Sequence, residues 1–242
     1  MNLLTALLVA LGGYLIGSIS FTRIIGKRVA PEEDLSQTEV SFGDEGKSFT
    51  MHAVSATSLT FRKGPKVGCL ASLLDMLKAI LPTLAFKLYY PGQDYHLIAA
   101  AAVMAGHNFP IYYRFKGGRG MSSLYGGLLI IDWVSIPITF VGGTILGALL
   151  RDMFMIYTSG ILFLIPWLWY RFESIPHLLF GVVVNIFFWV AILPELKDNI
   201  EARRAGTAEE VNVKKFWELA RSMWLKRRAD QVGIDSEESV LQ

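Results

Sequence analysis

Cysteine is nearly absent. The one thiol, Cys69, has no partner for an internal disulfide, so the oxidised framework that holds many small secreted domains is excluded. Charge is also scarce: 18% of the 242 residues are Asp, Glu, Lys or Arg, against about 25% in an ordinary soluble domain. The four histidines fall in no spacing that resembles a metal site. There is no Gly-x-Ser-x-Gly nucleophile elbow, and no aromatic-interleaved basic groove that would read as a nucleic-acid surface. No internal repeat is visible, so the inverted-repeat signature of many transporters is missing. What the chain has instead is apolar length. Hydrophobic residues make up 52% of it, mean hydropathy is +0.41, and the apolar residues gather in long runs between short polar breaks. That excludes a disordered chain, argues against a soluble globular domain, and leaves an all-α, polytopic helical membrane protein.

The first run is Leu3–Ile25, long enough for a hydrocarbon core that needs about 20 residues. Nothing basic precedes it, while Arg23, Lys27 and Arg28 lie at its end. It is therefore read as a span with its N-terminus outside, not as a signal peptide. Later runs are Val67–Tyr90, Tyr95–Tyr113, Met121–Ile131, Trp133–Leu150, Met153–Tyr170 and Pro176–Pro194, giving seven expected spans. Met121–Ile131 is the shortest, about 16 Å as a helix, and crosses only if it extends back through Gly117; otherwise it is re-entrant. With seven spans, 20 of the 23 basic residues fall in cytoplasmic segments. The expected topology is thus N-terminus outside and C-terminus cytoplasmic, in a multi-pass protein of the inner (cytoplasmic) membrane.

Residues 1–196 form the expected transmembrane domain, with a long cytoplasmic loop at 29–66, and 197–242 the cytoplasmic tail. In the tail, Val213, Phe216, Trp217, Ala220, Met223 and Trp224 share one face of a helix, with basic residues in or just after it. Such an amphipathic helix lies on anionic membrane lipids or packs on the first cytoplasmic loop.

The densest chemical signal is the stretch Gly106–Ser123, where Lys116-Gly117-Gly118-Arg119-Gly120 directly precedes an apolar helix. Glycines that turn backbone N–H groups toward a ligand, two cations, a helix N-terminus and the hydroxyls of Ser122 and Ser123 together suit a phosphate. An ordinary positive-inside loop with a glycine turn also accommodates the cations, but not three glycines in four positions. A second cluster, Ser55, Thr57 and Ser58 followed by Arg62, Lys63 and Lys66, suits a phosphate or a capped helix start equally. Gly46-Lys47-Ser48 is not read as a nucleotide loop, because Ser41 stands where the motif needs glycine and no preceding strand is expected. Asp75 and Lys78, one turn apart inside a span, mark either a site or a neutralising pair.

These segments resemble the bacterial integral-membrane glycerol-3-phosphate acyltransferases that use acyl phosphate. Gly106–Gly120 is similar to that family's histidine, Phe-Pro and Phe-Lys-Gly-Gly-Lys-Gly sequence. Tyr14–Phe21 resembles its first span, Lys66–Lys78 its second, and Asn199-Ile200 with Gly206-Thr207 the end of its last. The resemblance implies seven spans and transfer of a fatty acyl group from acyl phosphate to the 1-hydroxyl of glycerol 3-phosphate, giving lysophosphatidic acid. It implies no cofactor, His107 and Asn199 as catalytic residues, and Ser55, Thr57, Ser58, Arg62, Lys116, Gly117, Gly118 and Arg119 as phosphate-binding residues. The chain also departs from the pattern. The loop's Gly-Ser-Gly-Asn is absent, Phe61 stands at the expected arginine with Arg62 next, and Leu196 replaces a histidine three residues before Asn199. His177 lies about 33 Å along a helix from Asn199 and cannot substitute, whereas His52 lies in the loop on the right side. Two rival readings follow: a catalytically impaired homologue serving as a lipid- or partner-binding scaffold, and a transporter of phosphorylated solutes.

Overall fold

The computed structural model describes residues 1–29, 38–41, 48–51 and 54–206. All seven apolar runs are helical. The first is α1 (Leu3–Gly17) and α2 (Phe21–Val29), interrupted at Ser18–Ser20. After the α3 segment (Ala56–Lys63) come α4 (Pro65–Tyr89), α5 (Tyr95–Asn108), α6 (Met121–Ile131) and α7 (Ser135–Leu150). The sixth run is split into α8 (Met153–Thr158), a 3-10 turn and α9 (Leu164–Phe172), and the last is α10 (Ile175–Ala191), followed by α11 (Leu193–Arg204). By length and composition, Leu3–Val29, Pro65–Tyr89 and Met153–Phe172 are able to cross a membrane, and α10 with α11 makes a fourth candidate bent by 63°.

One element was not expected. Between α2 and α3, β1 (Thr38–Ser41) pairs antiparallel with β2 (Ser48–Met51), Thr38 opposite Met51 and Ser41 opposite Ser48. A strand therefore does precede Gly46-Lys47-Ser48, contrary to the sequence reading. Ser48 opens β2 rather than a helix, however, and a nucleotide loop needs the helix. The tail helix expected around Val213–Trp224, His52 and residues 207–242 lie outside the described residues.

The packing is that of a protein solvated by lipid. On α4, Leu73, Leu77, Leu81, Leu84 and Leu88 are exposed, while Ala71, Asp75, Lys78, Ala79 and Thr83 are buried. Small and polar residues face in and leucines face out, the inverse of a soluble amphipathic helix. Small residues also bring α1 onto α5: a Cβ on Gly17 would lie 2.1 Å from the Val103 carbonyl oxygen, and one on Gly106 2.1 Å from that of Tyr14. α5 is central. Leu97, Ala100 and Met104 join Leu124 and Leu128 of α6, Leu164 and Leu168 of α9, and Val184 and Phe188 of α10 in the main core.

Hydrogen bonds define the two ends of the bundle. At one, Asn2 N–H donates to Tyr95 Oη at 2.6 Å, and Ser135 Oγ and Trp167 Nε1 donate to Asp132 Oδ2 at 2.8 and 2.7 Å. At the other lie the end of α5, the start of α6 and α11. Successive apolar segments run between these ends in alternating directions, so residue 1 and α11 lie at opposite ends.

Candidate active site

The site end is organised around a break in the first helix. Where α1 stops, its last carbonyls lose their helical partners. Lys78 Nζ, buried on α4, donates to Gly17 O at 3.0 Å and Ile19 O at 2.7 Å, and pairs with Asp75 Oδ1 at 2.7 Å. The same ammonium is 3.0 Å from His107 Nδ1 on α5. If it donates there, the ring proton sits on Nε2. The Asp75–Lys78 pair is thus a neutralised strut joining α1, α4 and α5, and it lies directly against His107.

His107 Nε2 faces the glycine loop. A Cβ on Gly118 would lie 2.3 Å from it, and one on Gly117 2.2 Å from the His107 carbonyl oxygen. Gly118 N–H donates to that carbonyl at 3.1 Å. Gly120, at φ +84°, starts α6 in a conformation that favours glycine, and a Cβ there would strike Asn108 Oδ1 at 2.2 Å. The glycines also serve packing. The glycines let the loop lie flat on His107 and Asn108, and the Gly118 N–H is consumed internally. Ser122 and Ser123 are likewise engaged with α4: Ser122 Oγ lies 2.9 Å from Ser72 Oγ, and Ser123 Oγ donates to Asp75 O at 3.3 Å.

The two predicted phosphate segments meet. Val54 N–H donates to Gly117 O at 3.2 Å, laying the start of α3 across the loop. Ser55 caps α3, its Oγ accepting the Ser58 N–H at 3.3 Å; both serines are buried. Thr57 is exposed and Arg62 half-buried on the last turn of α3. Lys116 is exposed, and its carbonyl accepts a hydrogen bond from Arg23 Nη2 at 2.8 Å; Arg23 also stacks 5.0 Å over the Tyr113 ring. Arg119 Nε lies 2.9 Å from Glu195 Oε2, which ties the loop to α11. One turn further along α11, Asn199 is buried with Nδ2 3.5 Å from Asp152 Oδ1. Arg203 Nη1 reaches Asp152 Oδ2 at 2.7 Å. Leu196, where the resembled pattern has histidine, packs against the main core.

The region from residue 7 to residue 206 matches the family model for glycerol-3-phosphate acyltransferase. The chain belongs to that family. As a member of the glycerol-3-phosphate acyltransferase family, it is 27% identical over 217 residues to the glycerol-3-phosphate acyltransferase of Halalkalibacterium halodurans, covering 86% of this chain and 96% of that one. To the enzyme of the same name from Pelagibacter ubique it is 36% identical over 126 residues, 52% of this chain and 59% of the relative. Its fold is similar to that of PlsY, an integral membrane glycerol 3-phosphate acyltransferase solved in a glycerol 3-phosphate form, with a TM-score of 0.67 at 21% identity, covering 88% of this chain and 98% of that one. The lysophosphatidic acid form of the same protein gives 0.64 at 22% identity. Within this candidate site, sequence reasoning passed over Arg23, Asn108, Asp152, Glu195 and Arg203. Glu195 carried one usable signal, a carboxylate directly after an apolar run; the others are recognisable only through tertiary contacts.

Proposed function

We propose that this integral membrane protein transfers a fatty acyl group from acyl phosphate to the 1-hydroxyl of glycerol 3-phosphate, giving lysophosphatidic acid and phosphate at the cytoplasmic face of the inner membrane. The observation that carries this reading is the convergence, in a chain of this family, of the start of α3, the Lys116–Gly120 loop, His107 and the α11 face of Glu195 and Asn199 at one end of the bundle. Both substrates carry phosphate, and one carries a chain that belongs in the bilayer, so a cationic site at the end of a helical bundle suits both.

The hydroxyl attacks the acyl carbonyl carbon directly. A C–O bond forms, the bond to phosphate breaks, and the hydroxyl proton leaves with the departing phosphate oxygens. No covalent intermediate on the protein is required, so the protein supplies positioning and charge stabilisation. Lys116, Arg119 and Arg62 are assigned to phosphate, with Ser55, Thr57 and Ser58 beside them at the start of α3. Gly117 and Gly118 shape the loop. Asn199 is assigned to the reacting hydroxyl, because its Oδ1 is buried and accepts no hydrogen bond among the described residues. His107 fixes the floor of the loop next to the reacting groups. The family match favours this reading over a scaffold or a transporter.

The test is kinetic. A charge-assisted hydrogen bond contributes about 1.5–3 kcal/mol, so Lys116→Ala and Arg119→Ala each raise the KM of a phosphate substrate roughly 10- to 150-fold. Folded variants with unchanged kinetics toward both substrates refute the assignment.

A further inference from the structure

We infer that Glu195 is a positioning residue, holding Arg119 by its Nε edge so that the guanidinium presents its η nitrogens to substrate phosphate. The inference rests on the assignment of Arg119 to phosphate made above, and goes beyond it.

Glu195 is 1% exposed at the start of α11, with Oε2 2.9 Å from Arg119 Nε. A carboxylate is seldom buried so fully without a task, since removing it from water is costly unless it is paired. The pair does not exhaust the arginine. The contact at Nε is an ion pair by distance, 2.9 Å, without hydrogen-bond alignment, and Arg119 Nη2 is buried with no hydrogen-bond acceptor among the described residues. A guanidinium has donors on more than one edge, so a carboxylate at Nε leaves the η nitrogens for a second anion.

The backbone supports this orientation. α11 bends 63° from α10, and its buried positions are Glu195 and Asn199, one turn apart. Leu196 instead packs against the main core, so the residue next to Glu195 points elsewhere. The helix face that carries Asn199 therefore also carries Glu195. The residue type at 119 fits this role. The resembled pattern reads Phe-Lys-Gly-Gly-Lys-Gly, and this chain has arginine at the second lysine. An ammonium is a point charge, whereas a planar guanidinium bridges two anions in fixed directions. Arginine at 119 and glutamate at 195 thus make sense as a unit. Glu195 also repels the phosphate, but with the guanidinium between them the two anions stand about twice as far apart as each stands from the cation. Attraction exceeds repulsion on Coulomb scaling.

The experiment compares steady-state kinetics of the full-length parent with Arg119→Ala, Arg119→Lys, Glu195→Gln, Glu195→Asp and the Arg119→Ala/Glu195→Gln double variant, using glycerol 3-phosphate and a long-chain acyl phosphate, with melting curves on each. Glu195→Gln is expected to raise the KM of the same substrate that Arg119→Ala affects, by about tenfold or more, with little change in kcat. The double variant is expected to be no worse than Arg119→Ala alone, because both changes remove one arrangement. Arg119→Lys, which keeps the charge but not the fixed fork, is expected to raise KM less than Arg119→Ala, and a Glu195→Gln change made on top of it is expected to add little. If Glu195→Gln fails to fold, Glu195→Asp, which keeps the charge and shortens the reach, is expected to show the same KM effect. The inference is overturned if Arg119→Ala raises KM while a folded Glu195 variant leaves it unchanged or lowers it. It is also overturned if Glu195→Gln lowers kcat at constant KM and removes a limb of the pH profile, since the carboxylate then takes a proton. If Arg119→Ala itself has no effect on KM, the phosphate assignment fails first, and that outcome is distinct from the other two.

Discussion

Replacing Lys78 with methionine tests the strut on which the site is built. Its ammonium serves the Gly17 and Ile19 carbonyls at 3.0 and 2.7 Å and neutralises Asp75 at 2.7 Å. Methionine fills most of the volume but offers no donor and no charge. Asp75, 1% exposed, then keeps only long contacts, from Thr22 Oγ1 at 3.5 Å and from His107 Nδ1 at 3.6 Å. Removing one partner of a buried ion pair costs about 3–5 kcal/mol, because the other charge is left uncompensated. For a chain of this size roughly 2–4 °C of melting temperature corresponds to each kcal/mol, so Lys78→Met melts about 6–20 °C below the parent in detergent micelles. The double variant Asp75→Asn/Lys78→Met removes both charges and recovers most of the loss, leaving the orphaned carbonyls as the residual penalty. Melting curves of the parent and of both variants decide the matter. If Lys78→Met melts with the parent, or the double variant is no better than the single, the strut does not carry the break between α1 and α2.

Other predictions follow from the same geometry. Gly118→Ala places a Cβ 2.3 Å from His107 Nε2 and lowers both stability and activity, with an overpacking cost of about 1–3 kcal/mol, whereas Gly12→Ala, with nothing within 4 Å of its Cβ, leaves both intact. Leu196→His puts an imidazole against the main core, off the face that carries Glu195 and Asn199, and lowers the melting temperature without raising kcat with acyl phosphate; a kcat gain of about tenfold or more, the low end of what a positioned acid–base group supplies, means that the side chain at 196 turns toward the reacting groups. A reporter fused after residue 206 is expected to read as cytoplasmic, and one fused before residue 3 as outside; the reverse result breaks the proposed orientation.

How much of this was legible in the sequence depends on the range of the interaction. The apolar runs marked the helices because lipid solvation imposes a local, one-dimensional pattern, and α6 covers the same Met121–Ile131 as the run. The continuation of the first run to Val29, with its break at Ser18, was not legible, because the residue that tolerates the break is Lys78 on another helix. Composition located the Lys116–Gly120 loop but not the packing that its glycines serve. Their reason is the surface of His107 and Asn108 beneath them, which no local pattern reveals. Arg119 was found as a cation, and its partner Glu195 was passed over, because pairing between the start of α6 and the start of α11 exists only after folding. The β1–β2 hairpin was hidden in a polar loop with no long alternating run to announce it.

The central claim is tested most directly by incubating the purified protein in lipid bilayers with labelled glycerol 3-phosphate and a long-chain acyl phosphate, and following the label into lysophosphatidic acid. Acyl-CoA and acyl carrier protein donors run in parallel. The account predicts lysophosphatidic acid formation with acyl phosphate, saturable in glycerol 3-phosphate, and none above background with the other two donors. Product from a thioester donor but none from acyl phosphate would contradict the proposed reaction, and no product from any donor would leave the fold without the chemistry proposed for it.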